Sequence, residues 1–255
     1  MILDEFRQLR SRLNRPLVMA HRGASAILPE NSPSAFLRAV ADGADIIETD
    51  LHFTQDNEIV LIHDDTLDRT IEASGPVRDY TLAELKQFKL KQPPERQTEI
   101  EHILTLRELI DLTEAKVPLA LELKDPLFEL PEYGQKLIAI LRETNLLGRC
   151  AVISFGKQKM QSVERMAPEL VGGWITLFNP LPTPDVELLG PLWLLVILNP
   201  FYVAWAHRLG KIVAPLDPDP DARLWLYLKL GVDVILTDNP AATRREIERR
   251  LKKSG

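Results

Sequence analysis

"VMAHRGASAILPENSPSAFLRAVADGADIIETD", residues 18–50, holds a complete strand–helix–strand unit in one line of sequence. Leu17–Ala20 and Ile46–Thr49 are short apolar runs of the length expected for buried strands. Between them, "PSAFLRAVADGA" spaces its apolar residues for a helix, opens after Ser32 and reaches Gly43 near its end. Serine caps the first free N–H groups, proline suits the first turn, and glycine takes the left-handed conformation that stops a helix. Two strands joined by such a crossover run parallel. His21 and Arg22, then Glu48 and Asp50, therefore fall at the same end of two strands.

The unit recurs. Strand-like runs follow at Ile59–Ile62, Leu119–Leu123, Ala151–Ile153, Val171–Ile175, Leu192–Leu198, Lys211–Pro215 and Val234–Leu236. Amphipathic stretches such as "TLAELKQFKL", "TLRELIDLTEAK" and "YGQKLIAILRETNL" lie between them, and Gly43, Gly210 and Gly231 stand where helices end. About eight strand–helix repeats predict a TIM (β/α)8 barrel, with residues 1–255 as one domain. A doubly wound open sheet has a similar period, but no G-x-G-x-x-G follows the first strand. The stripe Leu3, Phe6, Leu9, Leu13 predicts an N-terminal helix over 1–15 packed on the barrel bottom. Residues 240–255 read as a last helix with a basic, solvated face, and "QPPERQTEIEHI" as a loose loop.

Composition excludes several classes. The 255 residues carry a net charge of −6, with no interleaving of basic and aromatic residues, which argues against nucleic acid as a partner. The longest apolar run, "PLWLLVILNP", is too short to cross a bilayer, so no transmembrane segment is expected. A single cysteine, Cys150, rules out an internal disulfide and suits a reducing, cytoplasmic setting. Nothing in the sequence sets an oligomeric state.

Chemistry in such a barrel sits at the C-terminal ends of its strands. Those ends read His21-Arg22, Glu48-Thr49-Asp50, His63-Asp64 and Glu122-Leu123-Lys124. A period of two sends Glu48 and Asp50 to one side, and Glu122 and Lys124 likewise. Three carboxylates at one mouth repel one another unless a cation joins them, and an all-oxygen donor set selects Mg²⁺ or Ca²⁺ over zinc. Taken singly, a Glu-x-Asp is usually a solvated strand end and His-Arg-Gly a turn with a surface arginine. Their coincidence at one barrel end carries the argument. His52 shares the parity of Glu48 and Asp50 and is expected at the rim. His102, His207 and the four Trp residues read as packing, Trp174 least firmly because it ends a strand.

The segment "HRGASAILPENSPSAFLRAVADGADIIETDLHFTQDNEIVLIHDDTLDRT" closely resembles the N-terminal signature of the glycerophosphodiester phosphodiesterases. HRG, PEN, Glu-x-Asp, T-x-D and HDDTLDRT carry the likeness. "GPVRDYTLAELK", "LTLRELID", "LELK", "ISF" and "LGVDVILTDNP" extend it along nearly the whole chain. The resemblance implies a TIM barrel of the phospholipase-C-like type, one divalent metal ion, and hydrolysis of a small glycerophosphodiester to sn-glycerol 3-phosphate and an alcohol. By the same resemblance Glu48, Asp50 and Glu122 are the metal ligands, His21 and His63 the acid–base pair, and Arg22 and Lys124 the phosphate-binding cations. Gly23 then lets the backbone turn without a side-chain clash, and Asn31 either bonds near the site or serves the turn with Ser32.

The sequence also departs from the family pattern. Ser32 stands where Thr is frequent, and the seventh strand reads Ala214-Pro215-Leu216 where the family commonly has Trp, Thr and Val. The stretch after His63 reads as too short for the insertion domain of some members. These differences predict a more open mouth that admits a bulkier diester, such as a lysophospholipid. The rival readings are accordingly a lysophospholipase D and a barrel without activity that acts as a scaffold.

Overall fold

The computed structural model describes residues 12–92 and 100–254. Its centre is a sheet of nine strands: β1 Leu17–His21, β2 Ile46–Phe53, β3 Ile59–Leu61, β4 Leu119–Leu123, β5 Cys150–Ser154, β6 Val171–Thr176, β7 Leu188–Pro191, β8 Ile212–Val213 and β9 Val234–Thr237. Eight of them run parallel in the order β8-β7-β6-β5-β4-β2-β1-β9, and β3 pairs antiparallel with β2. The Asp233 N–H donates to Val213 O at 3.1 Å, which sets β9 beside β8 and leaves the barrel nearly closed.

Alternation along each strand separates two apolar layers. Leu17, Met19, Ile46, Ala120, Ile153 and Leu188 belong to the cluster inside the barrel, and Leu13 packs against it. Val18, Ile47, Leu119, Leu121 and Val152 face the helices, where Phe36, Leu109, Leu137 and Tyr227 complete a larger cluster. On the inward parity, Leu17 and Met19 lead to His21, Ile46 to Glu48 and Asp50, and Ala120 to Glu122. The polar residues are thus the top layer of positions that are otherwise core. Parallel pairing aligns them, His21 with Glu48 and Asp50 with Glu122.

Local signals behave as expected at the helix ends. Ser32 caps the Pro33–Ala41 helix by accepting from the Ala35 N–H, and Gly43, Gly210 and Gly231 have φ of 77°, 75° and 76°. Several expectations need correcting. Leu192–Leu198 is not a strand: the strand is Leu188–Pro191, and Trp193–Leu198 is a helix. A continuous apolar run has no periodicity to tell the two apart. The helix over Lys157–Met166 carries no apolar stripe in the sequence, because it is strongly polar, with only Met160, Ser162 and Val163 buried. "TLAELKQFKL" is helical only over Leu82–Leu85.

The stretch after His63 is not short. It folds as a lobe with its own apolar cluster of Val60, Ile62, Leu67, Ile71, Leu85 and Ile103. Trp205 and Trp225 are 43% and 53% exposed, so packing does not account for them. Most of the expected N-terminal helix and of the expected loop at 92–103 lies outside the described residues. The last helix, Pro240–Ser254, is present. Among the described residues no helix is long and apolar enough to cross a membrane.

Candidate active site

The fold brings all seven expected polar residues to one end of the barrel, with one change in how they arrive. His63 does not end a barrel strand; it follows β3, the antiparallel partner that leans over β2. Glu48, Asp50 and Glu122 each offer a carboxylate oxygen within 4.8 Å of the others, and all three are buried. Lys124 Nζ lies 2.7 Å from Glu122 Oε1 and 3.5 Å from Asp50 Oδ1. Arg22 Nε is 3.1 Å from Asp50 Oδ2, although its N–H is not aligned for a hydrogen bond.

The electrostatics follow from burial and charge count. Burial, then the neighbouring Asp50 and Glu122 carboxylates, push the Glu48 carboxyl well above the usual range. Burial acts on Asp50 the same way, but Arg22, Lys124 and His63 outweigh it and hold that carboxyl low. Burial also raises Glu122, only partly opposed by Lys124. Asp50 Oδ1 is buried and accepts no hydrogen bond. A cluster of hard oxygen donors, one of them without a hydrogen bond, fits a divalent cation of the Mg²⁺ or Ca²⁺ type.

Other contacts hold these groups in place. Asn31, at φ 54°, donates from Nδ2 to Asp50 Oδ2 at 3.1 Å while its Oδ1 accepts from the Thr49 hydroxyl at 2.8 Å. Asn31 thus bonds at the site, and Ser32 alone is the cap. Arg22 adopts φ 56°, and its N–H reaches both Glu48 O and Glu48 Oε2. Gly23 follows at φ +85°, where an added Cβ would stand 2.7 Å from the Ala35 backbone.

Asp64 was already among the strand-end residues of the sequence; Asp238, Ser25, Arg69 and Glu30 join it at the site only in the fold. His21 Nδ1 lies 2.6 Å from Asp238 Oδ1, which also accepts from the Ser25 hydroxyl. His63 Nδ1 lies 2.7 Å from Asp64 Oδ1. Arg69 joins the two sides: it donates to Asp64 Oδ2 at 2.6 Å and to both Glu30 oxygens at 2.7 and 2.8 Å, while Glu30 also accepts from Arg22. The hydrogen bond from Arg69 and then the one from His63 take the Asp64 carboxyl down to about 2. Ala20 is in register with Thr237, so Asp238, the residue after β9, meets His21 at the end of β1. His52, expected at the rim, is buried, with Nε2 3.3 Å from His63 O.

Beside these groups lies a cleft shared by His21, Glu48 and Glu122 and otherwise lined by residues such as Ile153, Ile175, Leu188 and Leu216. Ala214, from the altered seventh strand, is one of the lining residues.

Residues 21–242 match the model of the glycerophosphoryl diester phosphodiesterase family. The chain belongs to that family. It is an enzyme, a glycerophosphodiester phosphodiesterase. Over 233 residues it is 34% identical to a glycerophosphodiester phosphodiesterase of Caldanaerobacter subterraneus subsp. tengcongensis, covering 89% of this chain and 95% of that one. It is 28% identical to the protein of the same name from Bacillus altitudinis, over 88% of this chain and 94% of the relative. Among solved structures, an Oleispira antarctica phosphodiesterase in complex with the product sn-glycerol-3-phosphate superimposes with a TM-score of 0.80. The two are 25% identical, and the match covers 93% of this glycerophosphodiester phosphodiesterase and 99% of that chain.

Proposed function

We propose that this phosphodiesterase hydrolyses glycerophosphodiesters to sn-glycerol 3-phosphate and an alcohol, with the help of a divalent cation and two histidines. The observation that carries the reading is the buried Glu48, Asp50 and Glu122 cluster at the barrel end that also holds His21 and His63, each histidine tied to its own carboxylate. The names of the relatives and the product bound to the Oleispira enzyme support the substrate class.

Glu48, Asp50 and Glu122 would hold the cation, Mg²⁺ or Ca²⁺, which when bound supplies positive charge against the reacting phosphoryl group. Arg22 and Lys124 lie next to the same carboxylates and can take a phosphate oxygen each, the guanidinium by a planar clamp and the ammonium as a movable charge. They stabilise charge that grows on those oxygens during attack. One imidazole, neutral, takes the proton of the attacking hydroxyl; the other, protonated, gives one to the departing alkoxide. Asp238 and Asp64 hold the Nδ1 sides, which leaves each Nε2 for the substrate. The chain acts as a single barrel domain in this reading, and the lone buried thiol of Cys150 suits a reducing, cytoplasmic compartment.

The test is release of glycerol 3-phosphate from glycerophosphocholine with Mg²⁺, with Ca²⁺ and with EDTA, beside His21→Ala. Turnover that needs a metal and disappears in the variant is expected. Undiminished turnover in EDTA would remove the cation from the reaction, and full activity of the variant would remove His21.

A further inference from the structure

The barrel closes between β8 and β9, and contact between the two continues past the strand ends. Asp238, the residue after β9, donates its backbone N–H to Pro218 O at 2.8 Å, and its own carbonyl accepts from the Ala26 N–H at 3.0 Å. Thr243 Oγ1, in the last helix, donates to Asp221 Oδ1 at 3.3 Å. The carboxylate that meets His21 therefore hangs from a main chain held by the loop after β8 and by the loop after β1. The first of these supports is the one whose order needs a cause. Residues 215–220 read PLDPDP, so three backbone donors are missing, and the stretch has only the bridge from Leu192 to Leu216.

A side-chain cluster supplies the order that the backbone lacks. Asp217 is 2% exposed. Arg223 holds it by a fork, Nε to Oδ2 at 2.6 Å and Nη2 to Oδ1 at 2.7 Å, and the Tyr227 hydroxyl donates to Oδ2 at 2.6 Å. Burial and then the bond to Asp217 push the Tyr227 hydroxyl far up, so it stays a donor. The same guanidinium donates to Asp219 O and lies 4.5 Å from the centre of the Trp193 ring. Trp193 in turn donates its N–H to Leu216 O at 3.3 Å. Asp217 and Asp219 are thus fastened to one guanidinium, and the Pro218 carbonyl between them meets Asp238. Among the described residues the cluster has no hydrogen bond to His21, Glu48, Asp50 or Glu122. It reaches the site through the main chain of Pro218 and Asp238.

A buried ion pair adds little stability by itself, because the desolvation of both charges offsets their attraction. What it secures is geometry. Without Arg223 the Asp217 carboxylate is buried without its cation, and its turning to water would draw Pro218 O away from Asp238. We propose that Arg223 and Asp217 are positioning residues for His21. They fix Pro218 O, Pro218 O fixes the main chain of Asp238, and the Asp238 carboxylate orients the imidazole. This rests on the role of His21 argued above.

The test is a double-mutant cycle of Arg223→Ala with Asp238→Asn, on glycerophosphocholine with Mg²⁺ or Ca²⁺. Arg223→Ala is expected to lower kcat about 10-fold and to move KM less than about twofold. In Asp238→Asn the imidazole has already lost its carboxylate, so the same change should lower kcat by less than about twofold. Equal losses in the two backgrounds would overturn the proposal, since Arg223 would then act elsewhere. So would an unchanged kcat in Arg223→Ala. Arg223→Lys keeps the charge without the fork; it takes the place of Arg223→Ala in the cycle if that variant does not fold, with a smaller loss expected. A second readout does not pass through activity. The proton held between His21 Nδ1 and Asp238 should give a downfield line in the proton NMR spectrum, identified by its absence from His21→Ala. In Arg223→Ala or Arg223→Lys the line should shift or broaden by exchange, and an unchanged line would overturn the proposal. Full turnover in His21→Ala, with a line that still depends on Arg223, would sink the reaction assigned to His21 and uphold the brace.

Discussion

His21 Nδ1 and Asp238 Oδ1 stand 2.6 Å apart although 217 positions separate them in the chain. β9 pairs with β1, so the residue after the last strand meets the end of the first. A carboxylate at this distance keeps the proton on Nδ1 and fixes the ring plane. Asp238→Asn is expected to lower kcat on the order of 10²-fold with KM little changed, measured by steady-state kinetics on glycerophosphocholine. A loss of less than twofold would show that Asp238 does not orient the imidazole.

Cation binding should depend on pH in one direction. The Glu48 carboxyl is held high by burial and by its two carboxylate neighbours, so it keeps a proton to a higher pH than an exposed glutamate. A cation must displace that proton. Affinity for Ca²⁺ or Mg²⁺ should therefore rise with pH and weaken as Glu48 protonates. Calorimetry in buffers of different ionisation enthalpy should report proton release on binding, and Glu48→Gln should reduce it, leaving the share of Glu122, which burial also raises.

Arg69 holds Asp64 on one side and Glu30 on the other, and so braces His63 and Arg22 together. Arg69→Ala is expected to cost roughly 10-fold in kcat/KM, through groups that it touches and not through substrate. It should also alter acid stability. Asp64, lowered to about 2 mainly by Arg69, contributes stability that is present above its ordinary range and lost as pH falls toward 2. In Arg69→Ala the acid unfolding transition, followed by circular dichroism, should begin at higher pH.

Gly23 is the backbone pivot under Arg22. At φ +85°, with its missing Cβ only 2.7 Å from the Ala35 backbone carbon, no side chain fits without moving the Pro33–Ala41 helix. Gly23→Ala should destabilise the protein by about 2 kcal/mol or more, read as a shift in the urea midpoint. An unchanged midpoint would contradict the packing described.

Cys150 is fully buried, and burial pushes its thiol up to about 12. A thiol so placed is a poor nucleophile. The native protein should leave Ellman's reagent unreacted at neutral pH and release one equivalent only when unfolded.

The polar residues of the site were legible because each is a local anomaly. His21, Glu48, Asp50 and Glu122 stand on strands whose other inward positions are Leu17, Met19, Ile46 and Ala120, and a charge among those is conspicuous. Parity alone then sends Glu48 and Asp50 to one side. The strand count was legible as well, for the same periodic reason. The Trp193–Leu198 helix was not, because an unbroken apolar run fits a strand equally well and only its packing decides. The polar Lys157–Met166 helix escaped for the opposite reason, having too few apolar residues to show a stripe.

The barrel and the set of residues at its mouth can be read from the chain alone, since periodicity and strand ends are properties of neighbouring positions. Their partners cannot. Asp238 reaches His21 because β9 lies against β1, and Arg69 reaches Glu30 across 39 positions because the lobe after His63 folds back over the first loop. Such contacts depend on which distant segments are brought together, and chain folding sets that through strand order and closure, which no local pattern encodes.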